Sequence, residues 1–298
     1  MLRILFSLCI FIGFQAQATQ QTFTAADFSH WLEAADIANA IYQSDEDIAE
    51  VLTSQGYKID RLHRIEGFSV VYVLATNETT KQHMVAVRGT SNIENAIVDA
   101  AFVLVPDKLS GIDVHQGFLL SARDIYQQIH SKIKPGYKIN TVGHSLGGGV
   151  ALILAMMFDA QGYDIAEVIT FGQPKVTNIS GSQQFTHLNI TRLVNPKDVV
   201  PLVPPVDPMD LMNFSIFWHQ GTEVLLHKNK QYSVLSGIGS MMRVADFLND
   251  IPGEQHLTNH FMTTYINNIK AKLDSPEEIK YKTDFKFSDW FGSPSTTD

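Results

Sequence analysis

Cysteine is almost absent from this chain: Cys9, close to the N-terminus, is the one example in 298 residues. Without further thiols there is no disulfide framework, no cysteine-based metal site and no thiolate nucleophile in the body of the protein. Positive charge is also scarce. Lys and Arg number 22 against 31 Asp and Glu, a formal net charge of −9, or −10 once a leader carrying only Arg3 is removed. An acidic chain with scattered cations lacks the basic face that nucleic-acid binding needs, and it argues against electrostatic docking on anionic membranes. Any membrane contact has to be apolar. No internal repeat is present. What the chain does have is apolar material, 45% of residues against 18% charged, enough for the core of a single large domain.

Residues 1–18 read as a signal peptide. Arg3 supplies the positive start, Ile4 to Phe14 the apolar stretch, and Ala16-Gln17-Ala18 a small-x-small cleavage signature. That stretch is too short to span a bilayer comfortably, so the mature chain is expected to carry no transmembrane segment. The expectation is a secreted or periplasmic protein, cleaved after Ala18, with residues 19–298 as one domain. The polar tail, 275–298, is expected to be flexible.

Along the body, Ala26 to Tyr42 fits a helix face, and Phe68–Ala75 and Met84–Val87 read as strands with a turn at Asn77. Phe118–Ile133 reads as a helix, Tyr137–Val142 as a strand and Leu146–Phe158 as a helix. Ala166–Phe171 and Ile190–Val194 read as further strands. Such alternation predicts an α/β fold with a mostly parallel sheet and helical crossovers. Residues 201–255, with prolines at 201, 204, 205 and 208, look less regular.

The strongest chemical signal is Gly143-His144-Ser145-Leu146-Gly147, standing between an apolar strand and an apolar helix. A strand that turns abruptly into a helix strains its turn residue, and small residues two positions to either side let strand and helix approach. The serine hydroxyl is thereby held clear at a helix N-terminus, where the Leu146 N–H faces a developing oxyanion. A serine needs a base, and the base an orienting carboxylate, in the chain order Ser, Asp or Glu, His. Asp198 lies just past the strand Ile190–Val194, where open α/β sheets place their sites, with Asp207 and Asp210 as competitors nearby. His219 and His227 lie close to it in sequence and read as structural or surface residues. His256 and His260 are the remaining candidates for the base, and spacing does not choose between them.

Several segments, in order, carry a resemblance to the class 3, fungal-type lipases: Val87-Arg88-Gly89-Thr90-Ser91, Val114-His115-Gln116-Gly117-Phe118, Gly143–Gly148, Phe171-Gly172-Gln173-Pro174-Lys175-Val176, Arg192–Pro205 and Asn259–Tyr265. The match runs from about residue 68 to 265. It implies the α/β-hydrolase fold with a short lid helix. It also implies Ser145, Asp198 and His260 as nucleophile, acid and base, with Thr90 and Leu146 forming the oxyanion hole. His144, beside the nucleophile, is expected to pack rather than to catalyse. No metal or organic cofactor is implied. The implied substrate is a lipid ester at a lipid–water interface, triacylglycerol first. Phospholipase A1 or another carboxylesterase is the alternative on the same machinery, and a non-catalytic lipid-binding module the remote one.

The stretch after Thr90 aligns with the family's lid. Ile93 and Ile97 recur at helical spacing with Val98 and Phe102 alongside, an amphipathic pattern suited to covering an acyl pocket and then meeting a lipid surface. Ala96 stands nearest to the position where the family often has tryptophan. Tyr232–Phe247 matches no family motif and reads as an insertion near the acyl site or as another core helix.

Overall fold

The computed structural model describes residues 22–65, 70–89, 103–204, 216–237, 239–241, 243 and 258–282. The expected signal peptide (residues 1–18), Thr90, the expected lid residues Ile93, Ile97, Val98 and Phe102, and also Asp207, Asp210 and His256 lie outside the described residues.

The chain opens with α1 (Ala25–Ala40) and α2 (Asp45–Ser54), then β1 (Lys58–Ile65), β2 (Val70–Asn77) and β3 (Gln82–Arg88). A small pair, β4 (Leu104–Pro106) and β5 (Asp113–His115), precedes α3 (Gln116–Ile129). The central units are β6 (Lys138–His144), α4 (Leu146–Ala160) and β7 (Ile165–Phe171). Next come β8 (Thr177–Asn178), α5 (Ile179–Gln184), β9 (Ile190–Val194) and β10 (Phe217–Trp218). β11 (Thr222–Leu226), β12 (Gln231–Leu235), α6 (Met262–Lys270) and β13 (Glu277–Glu278) complete the described elements.

Among the described residues, nine strands form one sheet in the order β1-β2-β3-β6-β7-β9-β11-β12-β13. From β3 to β11 every neighbouring pair is parallel, while β1-β2, β2-β3 and β11-β12 are antiparallel. Parallel pairing demands crossovers, and α4 supplies the one between β6 and β7. The β2-β3 hairpin turns where Asn77 stands: its side-chain oxygen accepts from the N–H groups of Thr79 and Thr80, both at 3.1 Å.

The sheet is covered on both faces. On β2, Val71, Val73 and Ala75 join α1, α2 and α6 in one apolar cluster, while Tyr72 and Leu74 join α3 and α4 in the other. This period-two division explains why β2 and β3 read as near-continuous apolar runs. Helix α4 is buried from Gly147 to Phe158 because it lies between the sheet and α3, so its sequence is apolar all round. Helix α2, which periodicity did not reveal, is fixed at its start by a reciprocal cap. Ser44 Oγ accepts from the Asp47 N–H at 3.2 Å, and the Asp47 carboxylate accepts from the Ser44 N–H and hydroxyl.

Two strand regions differ from the sequence expectation. Residues 222–235, expected to be irregular, extend the sheet as β11 and β12. The first part of the unplaced Tyr232–Phe247 segment is thus strand rather than helix, and Glu277–Glu278 pairs beyond it. A buried ion set fastens this half of the sheet. Arg192 of β9 meets Glu223 of β11 at 3.0 Å, and Arg243 meets the other carboxylate oxygen at 2.5 Å. Removing one member of such a buried set costs about 3–5 kcal/mol, so the set pins the strand end from which the Asp198 loop leaves.

Candidate active site

The site begins with a backbone conformation. Ser145, between β6 and α4, has φ +59° and ψ −134°, a strained state for a residue with a Cβ. Its N–H donates to the Phe171 carbonyl at 2.9 Å, which ties the turn to the end of β7. Small neighbours make the turn possible. A Cβ on Gly143 would stand 2.4 Å from the Gly147 carbonyl oxygen, and one on Gly147 would stand 2.3 Å from that of Val87. The expected strand-to-helix elbow is therefore present, and Leu146 opens the helix behind it.

Asp198 sits past β9, fully buried, in the loop that leads to the 3-10 turn Val200–Leu202. His260 Nδ1 donates to its Oδ2 at 2.8 Å, across 62 residues of sequence. Tyr265 donates its hydroxyl proton to the same oxygen at 2.5 Å, and the Val200 N–H donates to Oδ1 at 2.9 Å. Burial by itself would raise the Asp198 pKa. The facing His260 and the donated hydrogen bonds override it and hold the carboxyl below the ordinary aspartate value. Tyr265 shifts the other way, well above its usual value, through burial and then the Asp198 charge, and so remains a donor.

Gly172 lies between the Ser145 turn and the Asp198–His260 pair. It follows Phe171, the partner of the Ser145 N–H, and has φ +58°. A Cβ there would stand 2.7 Å from Asp198 Oδ2 and 2.9 Å from His260 Cε1 and Nδ1. Gly172→Ala is expected to destabilise the protein by about 1–3 kcal/mol through strain and overlap. It should also lower turnover at least tenfold by displacing the Asp198–His260 pair, with thermal melts and initial rates as the measurements.

His260 Nε2 and Ser145 Oγ are both buried, and neither has a hydrogen-bond partner among the described residues. The other histidines are engaged differently. His219 is buried against the Pro201 carbonyl, with Nε2 at 2.6 Å, and its pKa lies well below the usual range through burial and then the Arg192 and Lys175 cations. His227 meets Ser233 Oγ at 2.8 Å. Of the described candidates, the structure brings His260 alone to Asp198. Tyr265 was not singled out from the sequence; its place on the buried face of α6, with Met262, Ile266 and Ile269, makes it read as a core aromatic.

The loop after Asp198 is held from below. The buried Lys175 donates to the carbonyls of Leu202 and Pro204 at 2.5 and 2.7 Å, and burial lowers its pKa to about 7. An unfolded lysine keeps its proton to about pH 10.4, so unfolding takes up a proton between about pH 7 and 10 and stability rises with pH across that window. Lys175→Met is expected to flatten this rise, read as the difference in Tm between pH 6.5 and pH 9 for the two proteins.

Residues 84–207 match the model of the family described as lipase (class 3), a segment that contains the elbow, Gly172 and Asp198. This segment is similar to the class 3 lipases. Curated relatives include a lipase of Rhizomucor miehei, 32% identical over 146 residues, covering 45% of this chain and 40% of that one. A secreted mono- and diacylglycerol lipase 1 of Fusarium solani is 30% identical over 142 residues, covering 45% and 42%. The chain thus spans about two fifths of the length of these curated relatives. Among solved structures, the Rhizomucor miehei triacylglyceride lipase superposes with a TM-score of 0.60 at 24% identity, over 69% of this chain and 82% of that one. Lipase II of Rhizopus niveus gives 0.59 at 24% identity, over 70% and 83%. The fold is that of the α/β-hydrolase lipases. Among the described residues no helix is long and apolar enough to cross a membrane, and no group of three His, Cys, Asp or Glu stands where it would hold a metal ion.

Proposed function

We propose that this protein is a serine hydrolase of lipid carboxylic esters, a triacylglycerol-type lipase working through an acyl-enzyme. The observation that carries the reading is the convergence at Gly172 of the strained Ser145 turn with the buried Asp198–His260 pair. With Nδ1–H committed to Asp198, the neutral His260 ring keeps Nε2 as a base. Nε2 takes the Ser145 proton as Oγ attacks the ester carbonyl. The Leu146 N–H, with Thr90, stabilises the oxyanion. Collapse expels the alcohol, which takes the proton from His260, and water repeats the sequence to release the fatty acid. Kinship with the class 3 lipases supports a lipid substrate, and relatives named as secreted support export of the chain as a single hydrolase domain behind its leader. Ile93, Ile97, Val98 and Phe102 are proposed as the lid that meets the lipid–water interface.

The test is fatty-acid release by the purified protein from emulsified long-chain triacylglycerol and from phosphatidylcholine vesicles. Release from triacylglycerol is expected. Release from phospholipid alone would reassign the substrate to that of a phospholipase A1. Cleavage of short soluble esters alone would overturn the lipase reading and leave an esterase.

A further inference from the structure

Tyr42, just past the end of α1, is assigned no part in the mechanism above, yet its hydroxyl touches two of the three segments that build the site. Gly89, one residue before Thr90 in sequence, packs against the phenolic oxygen, which stands 3.0 Å from where a Gly89 Cβ would lie. The same hydroxyl lies 2.9 Å from His144 Nδ1, and His144 Nε2 lies 2.7 Å from the backbone carbonyl of His260. Proton positions follow from chemistry. A carbonyl only accepts, so His144 Nε2 carries the hydrogen. Burial, and then the neighbouring His260, push the His144 pKa down to about 3, so the ring is neutral and Nδ1 is bare. Nδ1 therefore accepts, and Tyr42 donates. Burial also raises the Tyr42 pKa, so the hydroxyl keeps the proton it donates.

We propose that Tyr42 and His144 form a positioning relay. Tyr42 donates to His144 and His144 to the carbonyl of His260, while Gly89 packs against the Tyr42 hydroxyl. The relay holds Gly89, the nucleophile turn and the base in one fixed relation. The inference rests on the serine-hydrolase reading. Every member of the relay has one donor facing one acceptor, so the chain has a single direction and its bonds reinforce one another. The rings are set by packing as well. Tyr42 and His144 meet edge-on at 5.7 Å between centroids, and His144 lies 4.5 Å from the His260 ring. The Arg88 guanidinium sits 5.9 Å over Tyr42. The position a Cβ of Gly89 would take is 3.0 Å from the Tyr42 oxygen and also 3.0 Å from Ser145 Cβ, so a shift of Gly89 reaches the nucleophile directly. The first helix, outside the segment that matches the lipase family, is in this way coupled to the reacting atoms.

Tyr42→Phe keeps the ring and removes the oxygen alone. On a soluble short-chain ester, kcat is expected to fall about 10- to 100-fold with KM within about twofold, the pattern of misplaced groups rather than of lost substrate binding. Tm should fall by only a few degrees. His144→Gln should lose a similar factor, and the double variant should lose little more than the worse single one, because both cut the same chain. An unchanged kcat in Tyr42→Phe, or single losses that multiply in the double variant, would overturn the relay. If Tyr42→Phe does not stay folded at the assay temperature, His144→Gln decides, and an unchanged kcat there overturns the relay too. Unmodified protein and Ser145→Ala run alongside. Absence of Ser145-dependent turnover would sink the hydrolase reading itself, whereas normal Ser145-dependent turnover with both relay variants unaffected sinks the relay alone.

Discussion

Ser145→Ala is expected to lower ester turnover by about 10⁴- to 10⁶-fold while leaving the protein folded and melting within a few degrees of the parent. The first half follows from the mechanism, in which the Oγ lone pair forms the acyl bond and no other described group is placed to do so. The second follows from the geometry of the turn. The strain at Ser145 is a property of its backbone, φ +59°, and alanine occupies the same space with the same Cβ. The hydroxyl that is lost has no hydrogen-bond partner among the described residues, so its removal leaves no buried group newly unpaired. Stability is therefore expected to hold or to rise slightly, as is usual when a strained functional group is blunted. Initial rates and a thermal melt on the same preparation test both halves. Retained turnover in a folded variant would move the nucleophile elsewhere.

The second large effect is expected at Asp198. All three of its neighbours donate: His260 Nδ1 and the Tyr265 hydroxyl to Oδ2, and the Val200 N–H to Oδ1. Only an acceptor on both sides satisfies them, which is what an ionised carboxylate offers. Asp198→Asn places an NH₂ group on one side. If it faces Val200, two donors oppose each other and the His260 ring loses the charge that stabilises it on protonation. If it faces His260, the ring must turn to the wrong tautomer, with Nε2 protonated and unable to act as base. Either way kcat should fall by about 10⁴-fold with KM little changed. Tm should fall too, because a buried donor is left without its acceptor, at about 1–3 kcal/mol. A variant that keeps most of its kcat would show that Asp198 does not set the His260 tautomer.

Much of the fold was legible because the elements that build it are strongly patterned. The run Val71–Ala75 alternates between two apolar clusters, and α4 is apolar on every side because it is buried on every side. Helix α2 and strand β1 were not legible. Their residues, such as Asp45, Glu46, Lys58 and Arg61, are largely polar, and their stability comes from a cap and from pairing with β2. Strands β11 and β12 were hidden for a related reason. They are short, they follow a proline-rich stretch, and their place in the sheet depends on β9 and on a buried ion set whose members lie up to 51 residues apart.

The sequence alone determined the nucleophile turn, because its requirements are local. A serine between an apolar strand and an apolar helix, with Gly143 and Gly147 two residues to either side, meets the steric conditions within five consecutive positions. It also carried the order of the family's segments, and with it the role expected of Asp198. The choice of base is different. Spacing leaves His256 and His260 equal and only the family resemblance points to His260; it is the packing of α6 against the sheet that brings His260 to Asp198. The same holds for Tyr265, which reads as a core aromatic until its hydroxyl is seen on the carboxylate, and for Tyr42, which lies 102 residues before its partner His144. Pairings of this kind depend on where whole elements dock, and docking is decided by buried apolar area summed over the molecule, which no short window of sequence contains.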